Sequence, residues 1–303
     1  MRVYTHPDCL RHDPGPGHPE CMARLVAVVD ALRQALPQLD WLEAPAATRA
    51  QIARVHSHAL IALVLDSTLP LPLRLDPDTV LSPGSAQAAV HACGAGVAAV
   101  DAVLNGEIQR AFCAVRPPGH HSTSSSAMGF CLFNSVAVAA AHALTAHGLR
   151  RVAILDFDVH HGNGTQAIFE QDARVLYLSS HQFPLYPDSG LASETGVGNI
   201  INAPLPPRSG SADFRAAWRE TLLPALDAFA PELLLISAGF DGHRLDPLAD
   251  LQLEAEDYHW LSEQITASAA DHAQGRIVSM LEGGYSLTAL RQCSVAHLRG
   301  LGA

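Results

Sequence analysis

Charged residues are scarce in this chain. They make up 16% of its 303 positions, while 48% are hydrophobic, a balance that excludes compositional disorder and lets the length fold around a large core. Basic residues are the scarcer sign, 19 against 30 acidic, for a formal charge of −11. Nucleic-acid binding draws its affinity from clustered Lys and Arg, so no nucleic-acid partner is expected, and the acidic field tolerates cationic ligands instead. Cysteine is sparse too. Cys9, Cys21, Cys93, Cys113, Cys131 and Cys293 are scattered with no Cys-x-x-Cys pair, which fits a reducing cytoplasm better than a disulfide scaffold. The opening MRVYTHPDCL lacks the apolar stretch of a signal peptide, and no run long enough to span a bilayer is expected. The expectation is a cytoplasmic protein with no membrane partner. No repeat, linker or charge block divides the chain, so residues 1–303 are expected to form one domain.

Short apolar runs flanked by turn residues read as buried strands: Ala111–Val115, Val152–Leu155, Val175–Leu178, Leu233–Ile236 and Ile277–Leu281. Helical stretches lie between them, at Ala86–Leu104, Ser135–His147, Ala212–Phe229 and Ala255–Ala270. Alternating strand and helix, with strands apolar on both faces, predicts an α/β fold: a central, mostly parallel sheet flanked by helices. Ligands in such sheets collect beyond the carboxyl ends of the strands. The loops there are rich in chemical groups: Arg116-Pro-Pro-Gly-His-His, Asp156-Phe-Asp-Val-His-His-Gly, Ser179-Ser-His, Gly239-Phe-Asp-Gly-His-Arg-Leu-Asp and Glu282-Gly-Gly-Tyr.

Asp156, Asp158 and His160 alternate, so an extended backbone puts all three on one side. Carboxylate oxygen with imidazole nitrogen suits Zn²⁺ or another first-row divalent ion. A catalytic site needs a third protein ligand, and Asp241, His243, Asp246 and Asp250 are all candidates. His120 and His121 follow a stiff Pro117-Pro118-Gly119 turn, and imidazoles exchange protons near neutral pH. The Gly283-Gly284 pair lets the backbone come close, and Tyr285 then offers a phenol to a developing oxyanion. Ser122–Ser126 reads as a loop.

Together these residues resemble the zinc-dependent histone deacetylases of the arginase/deacetylase superfamily, most closely class II and its bacterial members. The matches are RPPGHH at Arg116–His121, GFCLFN at Gly129–Asn134, DFDVHHGNGTQ at Asp156–Gln166, SAGFD at Ser237–Asp241 and LEGGY at Leu281–Tyr285, with HDPGPGHPE as the opening loop. Their order and spacing run through nearly the whole chain.

The resemblance implies one catalytic zinc on Asp158, His160 and Asp246, the last because it precedes Pro247. Gly162 stands where arginases carry a further Asp for a second metal. It also implies His121 as general base, His120 as a cation beside Asp156, and Tyr285 as oxyanion donor. The Gly129 carbonyl would accept the scissile N–H, Phe130 and Tyr186 would flank an acyl channel, and Arg24 would line its inner end. A potassium ion is implied at Asp156, Asp158, His160, Ser179 and Ser180. Asn163 replaces the Asp of class I.

The sequence departs from the family in STSSSAM after His121, in Cys-Met-Ala-Arg after Glu20, and in Leu245 before the third ligand. The activity implied is hydrolysis of acyl, chiefly acetyl, lysine amides. Acetylpolyamine hydrolysis and a non-catalytic acyl-binding scaffold are the alternatives.

Overall fold

A strand such as Val152–Asp156, buried at all five positions, needs cover on both faces. The computed structural model, which describes residues 1–303, places it inside an eight-stranded sheet, third from one edge. The strands are β1 (Arg2–Thr5), β2 (Asp40–Glu43), β5 (Arg110–Cys113), β6 (Val152–Asp156), β7 (Val175–Gln182), β8 (Ile200–Leu205), β9 (Leu233–Ala238) and β10 (Ile277–Leu281), with a separate hairpin of β3 (Leu73–Arg74) and β4 (Val80–Leu81). The sheet runs β2-β1-β5-β10-β9-β6-β7-β8 and every pairing in it is parallel. All five predicted strands are present, Ile277–Leu281 with the same bounds and the other four with one or both ends shifted by one to four residues. The three additional strands are β1 and the two edges, β2 and β8.

The helices are α1 (Met22–Ala35), α2 (Arg49–Ile52), α3 (His58–Leu65), α4 (Ser85–Leu104), α5 (Ser135–Ala146), α6 (Asn163–Phe169), α7 (Ser211–Ala217), α8 (Leu223–Phe229), α9 (Ala255–His272) and α10 (Leu287–Gly300). α4 and α5 pack on each other, α4 reaching β1, β5 and β10 and α5 reaching β6 and β9. α1, α10, α9 and α8 form a second chain of contacts. One continuous apolar core runs from Val3 to Leu301.

One expectation is corrected. α4 is 20 residues long with a mean hydropathy of 1.4 over its most apolar window, so by length and composition it could cross a bilayer. The reason for its apolarity is its place in the fold: 67% of that window is buried inside the protein.

Candidate active site

β5, β10, β9, β6 and β7 are consecutive neighbours in the sheet. The five polar loops that follow them therefore open on one edge. The turn leaving β5 delivers His120 and His121 side by side, ring centroids 4.0 Å apart. Glu282, just past β10, clamps that turn: one carboxylate oxygen accepts the N–H groups of Gly119 at 2.6 Å and His120 at 3.2 Å.

The two imidazoles have opposite surroundings. His120 Nδ1 meets Asp156 Oδ2 at 3.0 Å, and its Nε2 lies 3.8 Å from Asp158 Oδ2. Burial opposes its charge, but these two carboxylates overrule burial and hold its pKa well above the ordinary range. His121 pairs through Nδ1 with Asn163 Oδ1 at 2.8 Å, which puts the proton on Nδ1 and a lone pair on Nε2. Burial, reinforced by the charges of His120 and His160, pushes its pKa well below the ordinary range. A cationic imidazole thus stands beside a neutral one.

At the end of β6, Asp158 Oδ1 accepts the His160 N–H at 2.9 Å and Oδ2 accepts the Gly283 N–H at 2.8 Å. A side chain at 283 would collide with Asp241 and Asp158, so only glycine allows this approach. Asp158, His160 and Asp241 hold ligand-type atoms within 4.8 Å of one another. His160 Nδ1 is 3.2 Å from both Asp158 Oδ1 and Asp241 Oδ2, and Asp241 Oδ2 has no hydrogen bond.

Asp246 lies outside that trio. Its Oδ2 accepts the N–H groups of Tyr285 at 2.7 Å and Ser286 at 3.3 Å, and its Oδ1 that of Leu248 at 3.0 Å. Burial, then the Asp241 charge, push it up to about 7. Burial and Asp158 also raise Asp241, while His160 is carried up to about 10 against burial by Asp158 and Asp241. Two buried carboxylates against one imidazole, with the buried Asp246 carboxyl raised by the Asp241 charge, form a donor set that fits a divalent cation. Of the other candidates, His243 turns to Glu254, 3.3 Å away, and Asp250 is exposed.

A pocket of about 230 Å³ descends to these groups, lined by Asp78, Gly129, Phe130, Leu185, Tyr186 and Leu248 with His121, His160 and Tyr285. Gly129 has φ +56° and its missing Cβ would strike the His121 ring, so a side chain there is barred on both counts. Phe130 is held at φ +67°, with its N–H on Thr79 Oγ1 at 2.9 Å and its ring edge-on to Tyr285. Burial pushes the Tyr285 phenol well above its usual pKa despite the opposing Arg24 charge, so it remains a neutral donor.

The histone deacetylase domain model matches residues 18–301. The chain belongs to the histone deacetylase family. A histone deacetylase-like amidohydrolase of Pseudomonas aeruginosa is 38% identical over 93% of this chain and 76% of its own. A polyamine deacetylase, HDAC10 of Homo sapiens, is 38% identical over 90% of this chain but only 44% of its own length. The crystal structure of the HDA15 HD domain superposes with a TM-score of 0.94 at 34% identity, covering 99% of this chain and 88% of that one. Deacetylase-family hydrolysis and the arginase/deacetylase fold are thereby shared.

Other predicted residues of this deacetylase fall as follows. Tyr186 is 39% exposed at the mouth, edge-on to His121 at 5.2 Å. Arg24 is fully buried behind Tyr285, its guanidinium 4.8 Å from the ring centre, donating to the Gly284 and Glu282 carbonyls and to Glu20. Ser179 Oγ pairs with His181 Nδ1, and Ser180 Oγ accepts the Trp218 indole N–H.

Sequence reasoning assigned no role to Glu282, Glu20, Asp78, Leu185 or Leu248. Glu282 lies inside the LEGGY motif and was a findable acid. Asp78 sits in an Asp-Pro-Asp-Thr turn whose Asp76 side chain accepts the N–H groups of Asp78 and Thr79, a turn signal that marks its position. The two leucines carry no local signal.

Proposed function

We propose that the chain is a zinc-dependent amidohydrolase that removes acetyl groups from lysine side chains. The observation that carries this reading is the opposed His120–His121 pair at the foot of a narrow pocket. Zinc would be held by Asp158 and His160 with Asp246 as third ligand, where it would polarise the amide carbonyl and acidify water.

The chain's own groups supply the rest. His121 Nε2 takes a proton from water as its oxygen bonds to the acyl carbon. The Tyr285 phenol donates to the carbonyl oxygen as that becomes negative. The Gly129 carbonyl, which otherwise takes only the weak Cys131 thiol at 3.3 Å, accepts the amide N–H and orients the bond to be broken. His121 then returns the proton to the amine nitrogen as the C–N bond breaks, and acetate and lysine leave. His120, kept cationic by Asp156, biases His121 toward neutrality and stabilises the negative charge of the transition state.

A potassium ion behind this centre fits the main-chain carbonyls of Asp158 and His160, which accept no N–H or O–H from the protein, together with Asp156, Ser179 and Ser180.

Acetylpolyamine hydrolysis is the competing reading, supported by the likeness to a polyamine deacetylase and the net charge. A polyamine site needs free acidic groups for the distal ammonium. Glu254 is already paired with Arg244, Asp250 does not line the pocket, and Asp78 is the one carboxylate that does. We therefore favour acetyl-lysine. The test is kcat/KM of the zinc-loaded protein on acetyl-lysine peptides against N8-acetylspermidine. Peptides should lead, and a tenfold advantage for the polyamine, only ~1.4 kcal/mol, would overturn the lysine assignment.

A further inference from the structure

A second groove, of about 580 Å³, adjoins the acyl pocket and shares Asp78 and Phe130 with it. Its walls are the Pro14–Pro19 loop and the β3–β4 hairpin. Three prolines restrict that loop, and beside Gly15 and Gly17 the backbone faces open space, with nothing within 4 Å of where a Cβ would sit, so an extended main chain can approach there.

Its polar groups are few and mostly used. His18 spends both ring nitrogens, Nε2 on the Asp78 carbonyl at 3.0 Å and Nδ1 on the Glu20 N–H at 3.1 Å. Asp78 Oδ1 accepts the Thr79 hydroxyl at 3.1 Å. Arg74 differs from these. It is exposed, it spends only Nη1, on the Pro77 carbonyl at 2.5 Å, and neither Asp76 nor Asp78 pairs with it. It is the one Arg on the groove lining.

We propose that this groove is a second substrate subsite, which holds the chain flanking the acyl-lysine and receives a carboxylate on Arg74. The proposal rests on the lysine-deacylase reading above and adds a specificity to it. The carboxylate is either an acidic side chain next to the acyl-lysine or the C-terminal carboxylate of a short peptide. The same guanidinium repels the distal ammonium of an acetylpolyamine and so opposes the attraction of Asp78 on the same groove.

The test uses the full-length, zinc-loaded enzyme and acetyl-lysine pentapeptides with glycine elsewhere. Asp or Arg is placed on one side or the other of the acetyl-lysine, and a further pair carries a free or amidated C-terminus. At low salt, Asp on one side, or the free carboxylate, should raise kcat/KM about three- to tenfold over its Arg or amide counterpart, the scale of an exposed ion pair gained against a like charge avoided. The preference should shrink at 0.5 M salt, a probe concentration chosen to be about threefold above physiological ionic strength. Arg74→Glu should invert the Asp/Arg order and Arg74→Gln should abolish it, and the ratio between peptides cancels any general loss of activity.

The Asp arm alone responding assigns a flanking acid, and the C-terminal arm alone assigns a peptide end. No dependence on flanking charge in the wild type, or an unchanged order in Arg74→Glu, overturns the subsite. Failure of every acetyl-lysine peptide to react overturns the lysine reading and the subsite together.

Discussion

Glu20 is a carboxylate at 0% exposure that exists only because two guanidinium groups surround it. Arg116 grips both its oxygens in a fork, and Arg24 takes one of them at 2.9 Å. Burial alone would raise its pKa, but Arg116 and Arg24 overrule burial and hold it at about 2 against an ordinary 4.5. A depressed folded-state pKa contributes stability that is fully present above 4.5 and lost as pH falls through about 2. Glu20→Gln should therefore destabilise the fold by about 3–5 kcal/mol at neutral pH, because it strands buried cations. The gap in unfolding free energy between variant and wild type should narrow as pH drops below 4.5, and a gap independent of pH would place the loss in packing instead. Tyr285 is tested by chemistry. Tyr285→Phe should keep the fold and bound zinc while kcat on acetyl-lysine falls about 10²- to 10³-fold, with a smaller loss on trifluoroacetyl-lysine, whose carbonyl is already activated. Equal, small losses on both substrates would mean that the phenol points away from the carbonyl. Residues of these two kinds differ in how far sequence reveals them. Asp156, Asp158 and His160 are legible because they form one short run of sequence, although β6 ends at Asp156 and the other two lie in the loop beyond it. Glu20 is not, because its meaning depends on Arg116, 96 positions away.

At the scale of the element, α4 shows how one missing side chain lets a helix meet a loop. A Cβ on Gly94 would collide with the Pro45 carbonyl and the Ala47 backbone nitrogen, in a loop tied to α4 by Ala47 N–H to the Val90 carbonyl at 2.9 Å and His91 Nδ1 to the Ala44 carbonyl at 2.8 Å. Helix propensity favours alanine over glycine by about 1 kcal/mol, but backbone cannot yield as a side chain can. Overpacking costs about 1–3 kcal/mol or more. Gly94→Ala should therefore lower Tm, whereas Gly96→Ala, which meets the flexible end of Met280 and Ala139, should come out near neutral. Equal Tm values for the two variants would show that the loop gives way. The same scale shows why some strands are legible and others are not. β5, β6, β7, β9 and β10 are central and covered, so their apolar runs announce them. β2 is an edge of largely exposed residues, Asp40 to Glu43, and β8 carries Pro204 inside Ile200–Leu205, tolerated only because no strand pairs beyond it. The helical stretch predicted at Ala212–Phe229 is present but passes through a π-helical turn at Trp218–Leu222. Pro224 follows, and having no N–H it cannot bond back to Glu220.

For the molecule as a whole, the centre is assembled from β6, β9 and β10 together, and its charge balance links metal binding to global stability. Without a cation, Asp246 is pushed up to about 7 by burial and Asp241. A carboxyl raised above its ordinary 3.8 destabilises the folded state as pH rises: the penalty is absent below 3.8, grows through the interval and is complete above about 7. Across that interval the penalty grows by about 1.4 kcal/mol for each unit of pH. Chelator-treated protein should thus lose Tm between pH 5 and 7.5, values chosen to bracket most of that interval, and zinc should restore it by an amount that grows with free metal over Kd. Asp246→Asn separates the two effects. It removes the buried like charge, so the chelated variant should be more stable than chelated wild type at pH 7.5, yet it should gain little Tm from zinc. Motif order makes this cluster legible in the sequence, but not which late carboxylate completes it. Asp241 lies within the trio and Asp246 outside it, and they differ in the backbone N–H groups that hold them, Val159 for the first and Tyr285 with Ser286 for the second. Those contacts exist only in the folded chain. Should Asp241→Asn abolish the zinc-dependent rise in Tm while Asp246→Asn keeps it, the third ligand is Asp241, and the trio whose atoms already lie within 4.8 Å of one another is the metal site.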